Sequence, residues 1–381
     1  MRALIIGAGL SGATIARRLA EANWRIDVLE KRDGPGGHCD SQVDPSTGIL
    51  FHKYGPHIFH TDSVAVRDFV CQFAEMQPYM HIVRARAGNE IYPLPITLQT
   101  INQFFRTAMS PDEARAFIDS RRVKLPCAPQ NLAEQAVSMF GVELYEAFFE
   151  GYTRKQWGRP PEEIPVSVLK RLPFRFNYDQ SYYAHPYQAL PRRGYTELTA
   201  NILAHPGIHV HYRETFSARH PRSEYEHVIF TGPLDEWFDY SFGRLPYRTI
   251  DFEHFIVDGD YQGCPVMNYC DVDIPYTRIT EHKHMAPWAQ HQKSFLSREY
   301  SREATPADEP FYPVRLAGEQ AMLRAYEKAA SESHGVSFLG RLATFRYIDM
   351  DVAIAEALEA AREILRAHSA GERIPSYFVA L

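Results

Sequence analysis

The chain has 381 residues, of which 45% are apolar, 23% charged and 13% aromatic. This is a globular composition, long enough for two or three domains, and it excludes a wholly disordered chain, a collagen and a coiled coil. The net charge of −6 lacks the basic excess of a general nucleic-acid binder.

Residues 3–7 (Ala-Leu-Ile-Ile-Gly) form a short apolar run suited to a buried parallel strand. A glycine-rich turn, a helix to about Asn23 and a strand from Arg25 to Glu30 complete a βαβ opening. The start superficially resembles a signal peptide, but Gly7, Gly9, Gly12 and Arg17-Arg18 interrupt the apolar stretch. No run reaches the ~20 apolar residues of a membrane span, and a cytoplasmic location is expected. The scattered cysteines Cys39, Cys71, Cys127, Cys264 and Cys270 contain no CxxC and fit reduced thiols.

The stretch 98–170 reads as mostly helical. Ser110-Pro111-Asp112-Glu113 offers an N-cap, a first-turn proline and a capping glutamate, and Asn131 to Glu134 repeats the logic. Val228 to Thr231, ending at Gly232-Pro233, is another buried-strand pattern. Residues 246–300 alternate apolar and polar, which predicts antiparallel strands. Val336 to Leu339 is a late strand leading toward Asp349-Met350-Asp351, where a helix to about His368 begins.

Gly7-Ala8-Gly9-Leu10-Ser11-Gly12 is a GxGxxG turn between strand and helix. Gly7 permits the tight turn, Gly9 lets the backbone approach a pyrophosphate, and Gly12 lets the helix pack against the strand. The helix N-terminus offers free amides to the anion. Glu30, at the end of the second strand, suits ribose hydroxyls. Arg32-Asp33-Gly34-Pro35-Gly36-Gly37 follows it, similar to the Arg-x-x-x-x-Gly-Gly stretch of two-dinucleotide-fold flavoproteins. With the late helix N-terminus placed near a flavin, these features favour FAD over NAD.

Five further blocks stand out: Tyr54 to Thr61 (YGPHIFHT), Gly151 to Gly158 (GYTRKQWG), Pro275 to Arg278, Asp308 to Val314 (DEPFYPV), and Gly340-Arg341-Leu342 followed by Tyr347-Ile348-Asp349-Met350. The HxxH pair His57 and His60 has a loose metal spacing, but no third ligand is signalled nearby and no metal is expected. Together, in order and at matching spacing, the blocks resemble the bacterial-type UDP-galactopyranose mutases from about residue 3 to about 368.

The resemblance implies an isomerase that interconverts the pyranose and furanose forms of UDP-galactose with no net redox change. N5 of reduced FAD is then the nucleophile toward the anomeric carbon. It implies catalytic roles for Arg171, Arg278 and His60, the two arginines holding the diphosphate. Phe148, Tyr152, Trp157, Tyr182, Arg248, Asn268, Tyr312 and Tyr347 match substrate-side positions, and Glu299 matches a family acid near the site. Cofactor contacts fall on Gly7, Gly9, Ser11, Gly12, Glu30, Lys31, Gly37, His38, His57, His60, Arg341, Asp349 and Met350. The expected architecture is α/β, a Rossmann-like FAD-binding domain (1–80, 190–245 and 315–381) with an inserted helical domain carrying a mobile lid (98–170). An antiparallel β-sheet substrate domain (81–97, 171–189 and 246–314) completes it. A UDP-sugar, a reductant such as NAD(P)H and a homodimer are the expected partners.

Two stretches depart from the family pattern. His38-Cys39-Asp40 stands where relatives carry Asn and an aromatic residue or Ala. His185-Pro186 stands where they commonly carry Asp-Arg. Both bear on the sugar, so an N-acetyl or 6-deoxy substrate stays open, as does a true FAD oxidoreductase.

Overall fold

The computed structural model describes residues 1–169, 173–217, 224–315 and 320–379. A five-stranded, wholly parallel sheet forms the base, in the order Ile208–Tyr212, Arg25–Glu30, Arg2–Ile6, His227–Phe230, Val336–Phe338. Its strands are short and apolar because both faces are covered. Ala3, Ile5, Ile26 and Val28 pack under the helices Leu10–Glu21, Tyr195–Leu203 and Met350–Ala370, while Leu4, Ile6, Val228 and Phe230 pack with Leu323 and Tyr326 of the helix Gln320–Glu332. The late strand does not run straight into the final helix. Gly340, at φ 85°, turns the chain into the short helix Gly340–Ala343 first.

The helical stretch has its own core of Leu98, Ile101, Ile118, Phe140 and Phe148. Its helices start where the local chemistry predicts. Glu113 N–H donates to Ser110 Oγ while Ser110 N–H donates to Glu113 Oε2, and Glu134 N–H donates to Asn131 Oδ1. These bonds satisfy amides that a helix start leaves unpaired. A wider five-residue turn, Glu146–Glu150, precedes the helix Gly151–Trp157.

The seven-stranded sheet runs Tyr312–Pro313, Tyr247–Asp258, Lys293–Glu303, Arg278–Glu281, Val266–Tyr269, Val83–Ala87, Glu90–Leu94. It is antiparallel as expected, with one exception. Val83–Ala87 enters from early in the chain and pairs parallel to Val266–Tyr269, a pairing that local alternation cannot encode. Sequence patterning also missed a three-stranded sheet, Phe59–Thr61, Tyr187–Pro191 and Met76–Pro78, whose strands are too short for a periodic signal. That sheet joins the His57–His60 block to the segment after Tyr182.

Candidate functional site

Two glycine segments interlock at the C-terminal edge of the parallel sheet. A Cβ on Gly12 would lie 2.0 Å from the Gly7 carbonyl oxygen, and one on Gly37 would lie 3.1 Å from Gly9 Cα. Gly36 N–H donates to Ala8 O at 2.9 Å. The early turn and the Gly36-Gly37 pair are therefore one structure, which explains why both are needed. Gly7, at φ 105°, faces Thr231, leaving no room for a side chain.

Around this edge lies a cleft. Its walls include Gly7, Gly9, Ser11, Gly12, Glu30, Lys31, Gly37, His38, His57, Arg341, Asp349 and Met350. Nearly all the cofactor-side residues expected from sequence thus meet in one cavity. Two helix N-termini, at Leu10 and at Met350, border it, and neither carries a side-chain cap, so their amides suit anionic groups. Glu30 is buried and already accepts from Ala8 N–H (2.8 Å) and Arg32 N–H (2.9 Å). Its oxygens retain lone pairs for ribose hydroxyls. This donor set and glycine cradle fit FAD.

The wall is electrostatically organised. Glu309 takes Arg32 at 2.5 Å, Lys31 at 3.0 Å and His38 Nε2 at 3.2 Å. Burial works to raise its carboxyl, but His38, Arg32 and Lys31 outweigh it and hold the group well below the usual carboxylate range. His38 also stacks on Phe311, so this departure from the family pattern is locked by packing. Burial, reinforced by Arg341, pushes His57 down to about 3, which keeps a neutral ring in the wall.

His60 is placed differently. It is absent from the cavity wall and stacks on Tyr183 at 3.7 Å. Its Nδ1 lies 2.9 Å from His185 Nδ1, and His185 lies 3.9 Å from Asp351. The third ligand-type groups that the sequence did not signal beside His60 are supplied by the fold from far along the chain.

Most of the residues expected on the substrate side fall into two groups. Phe148, Tyr152, Tyr182 and Asn268 line a second, apolar cavity with Pro95, Phe140 and Phe174. Trp157, Tyr312 and Tyr347 form a cluster, with ring centroids 6.3, 6.1 and 5.2 Å apart, and Arg341 lies over both tyrosine rings. Arg341 therefore belongs to the dinucleotide cavity and to this cluster at once. Arg278 donates from Nε to Glu299 Oε2 at 2.7 Å, across adjacent strands where the two residues are in register. Burial opposes its charge, but Glu299 outweighs burial and keeps the guanidinium cationic. Burial raises the Tyr152 hydroxyl above its ordinary value and the Tyr312 hydroxyl to about 12, so both remain protonated donors. Arg171 lies outside the described residues.

Arg248 occupies a layer behind. It donates to Gln156 O, Lys155 O and Ser301 Oγ, capping the end of the helix that carries Trp157. Two residues escaped sequence reasoning. Lys155 Nζ lies 2.7–3.1 Å from the carbonyl oxygens of Tyr269, Asp271, Ile274 and Tyr276, its three N–H groups shared among the four acceptors, which staples that helix to the loop before Arg278. His81 is buried near Arg278. Its only sequence signal is a histidine leading into a strand in which small apolar residues alternate with arginines.

A UDP-galactopyranose mutase family model matches residues 147–347, and a NAD(P)-binding Rossmann-like domain matches residues 5–73. A probable UDP-galactopyranose mutase of Klebsiella pneumoniae is 49% identical over 376 residues, covering 99% of this chain and 98% of the relative. A dTDP-fucopyranose mutase of Escherichia coli is 50% identical over 367 residues, covering 95% and 97%. A crystal structure of reduced UDP-galactopyranose mutase superposes with a TM-score of 0.75 over 100% of this chain and 99% of the other, at 16% identity. A putative protoporphyrinogen oxidase from Exiguobacterium superposes at 0.66, with 13% identity and coverage of 95% and 98%. At such identities the likeness speaks for the fold.

Proposed function

The chain belongs to the UDP-galactopyranose mutase family, and from that premise we propose that it interconverts UDP-galactopyranose and UDP-galactofuranose without net oxidation or reduction. The observation that carries this reading is the continuity through Arg341. One guanidinium serves the wall of the dinucleotide cavity and also covers Tyr312 and Tyr347, which pack on Trp157. A nucleotide sugar bound beside Arg278 would share a wall with the cofactor.

FAD, when bound and reduced, supplies a nucleophilic nitrogen for the anomeric carbon. The chain's residues do the rest. Gly7 to Gly12 and the Leu10 amides would hold the pyrophosphate, and Glu30 the ribose. Arg278, with Arg171 as its partner, would clamp the substrate diphosphate and balance the charge of the departing UDP. Tyr152 and Tyr312 would donate to phosphate oxygens, and Phe148 would offer the uracil a flat face. Trp157, held by Arg248 and Lys155, would keep water from the reacting carbon. The reading includes NAD(P)H as reductant, a homodimer, and the division into a discontinuous flavin-binding domain, a helical domain and a β-sheet substrate domain.

A dTDP-linked 6-deoxyhexose is the second reading, favoured by the equally similar dTDP-fucopyranose mutase and by His185-Pro186 in the segment after Tyr183. The test is anaerobic incubation of the FAD-loaded, dithionite-reduced protein with UDP-galactofuranose and, separately, dTDP-fucofuranose, followed by chromatography for the pyranose. Conversion of the UDP-sugar, lost on reoxidation, is expected. Conversion of the dTDP-sugar alone selects the second reading. Oxygen consumption coupled to sugar oxidation, or no flavin after reconstitution, overturns both.

A further inference from the structure

We propose that His60, His185 and Asp351 form a binding site for a divalent transition-metal ion such as zinc, beside the dinucleotide cleft and separate from it. Three segments meet there. His60 lies on the strand Phe59–Thr61, whose partner Tyr187–Pro191 begins two residues after His185, and Asp351 lies in the first turn of the helix Met350–Ala370. Asp349 and Met350 line the cleft, whereas none of the three ligand candidates does. One nitrogen or oxygen from each of the three lies within 4.8 Å of the other two.

The geometry suits such an ion. His60 Nδ1 and His185 Nδ1 are 2.9 Å apart. Two nitrogens bonded at right angles to one ion, at ~2.0–2.1 Å, stand ~2.9 Å apart as well. Without an ion the two rings share one proton in a hydrogen bond. With an ion, that proton moves to Nε2 of the same ring, and both Nδ1 lone pairs face the metal. Asp351 Oδ2 lies 3.9 Å from His185 Nδ1, so the carboxylate closes by about 1 Å to reach the same ion. Two imidazoles and one carboxylate, with water in the remaining positions, are a recurring donor set for divalent transition ions.

Asp351 points to a cation independently. It is 7% exposed, and its Oδ1 is buried with no hydrogen-bond partner among the described residues. A buried carboxylate oxygen left unpaired is costly, and a bound cation recovers the cost. The way in is open on one side, because the His185 side chain is 37% exposed. The sequence there departs from the family pattern: histidine and proline occupy 185 and 186, where relatives commonly carry aspartate and arginine. Proline removes a guanidinium that would repel a cation beside His185. A second cluster supplies the contrast. Asp260, Glu281 and His284 stand equally close together. There Lys283 Nζ already lies 2.8 Å from Asp260, and Glu281 accepts from Tyr261 N–H, Gln262 N–H and the Ser294 hydroxyl, so its charge and lone pairs are taken up.

The test is equilibrium dialysis of the oxidised, FAD-loaded protein against buffered micromolar Zn²⁺, with zinc and flavin counted per chain, for wild type, His185→Ala and Asp351→Asn. Wild type should hold one zinc ion more per chain than either variant, and each variant should bind that ion at least about tenfold more weakly. Excess Mg²⁺, an ion for oxygen ligands, should not displace it. Zinc should raise the Tm of wild type more than that of either variant. Metal-free melts and the flavin-to-protein ratio check that the variants fold. His185 is partly exposed, so His185→Ala decides the matter if Asp351→Asn does not fold. No zinc on wild type, equal zinc on all three proteins through cysteines or flavin phosphates, or displacement by Mg²⁺ would overturn the site. Sugar turnover takes no part in the readout, so this proposal stands or falls apart from the mutase reading.

Discussion

Replacing Glu299 by glutamine removes one charge from the centre of the seven-stranded sheet and keeps the shape. Glu299 is 0% exposed and pairs in register with Arg278, its Oε2 2.7 Å from Nε. The Arg278 side chain keeps 21% exposure while that of Glu299 has none, so the carboxylate is the enclosed member of the pair. Breaking a buried ion pair by removing one partner costs about 3–5 kcal/mol. The glutamine oxygen still accepts from Arg278, so a net loss of about 2–3 kcal/mol is expected. With an unfolding entropy of about 2.1 cal/mol/K per residue, a chain this long loses roughly 3 °C in Tm. On the proposed reading UDP changes the balance, because a diphosphate beside Arg278 would restore the missing negative charge. The assay is a thermal melt of the FAD-loaded protein with and without saturating UDP. The variant should melt about 3 °C lower alone and recover most of that with UDP, a larger UDP shift than wild type shows. An unchanged Tm without UDP, or equal UDP shifts for both proteins, would refute the argument.

Gly12→Ala should abolish stable flavin binding, since its Cβ would lie 2.0 Å from the Gly7 carbonyl and backbone must move; the flavin-to-protein absorbance ratio after reconstitution checks this. Lys155→Met leaves four carbonyls without their donor and should cost about 3 kcal/mol together with much of the activity, seen in denaturant melts and turnover; a stability within error of wild type would sink the staple argument. Acid should destabilise the protein well above the carboxylate range. Burial pushes His57, His81 and His282 down to about 3 and His227 to about 4, whereas the unfolded chain titrates them near 6.5. Between these values the unfolded chain binds more protons, so their stabilisation is complete above about pH 6.5 and falls by up to ~1.4 kcal/mol per histidine per pH unit below it. A Tm that stays level from pH 7.5 to 5 would contradict this. Arg278→Ala should retain FAD and lose turnover, and near-normal rates would remove Arg278 from the diphosphate clamp.

Glu30, the GxGxxG turn and the starts at Ser110 and Asn131 were legible in the sequence because their physics is local. A glycine is required wherever a Cβ would strike the next turn, and a cap acts over three residues. The motif blocks likewise meet in one cleft, which twelve of the thirteen residues expected at the cofactor line. What tertiary structure alone decided is which distant segments meet. His60 reaches His185 across 125 residues, and Lys155 reaches Tyr276 across 121. Val83–Ala87 finds its parallel partner at Val266–Tyr269. Arg248, which the resemblance matches to a substrate-side position, hydrogen-bonds the end of the helix that carries Trp157. Each of these pairings closes a long loop, and sheet register and helix packing choose among many geometries with the same local pattern. Periodicity and motif spacing record the face a residue presents, while the group it meets there is set by the whole fold.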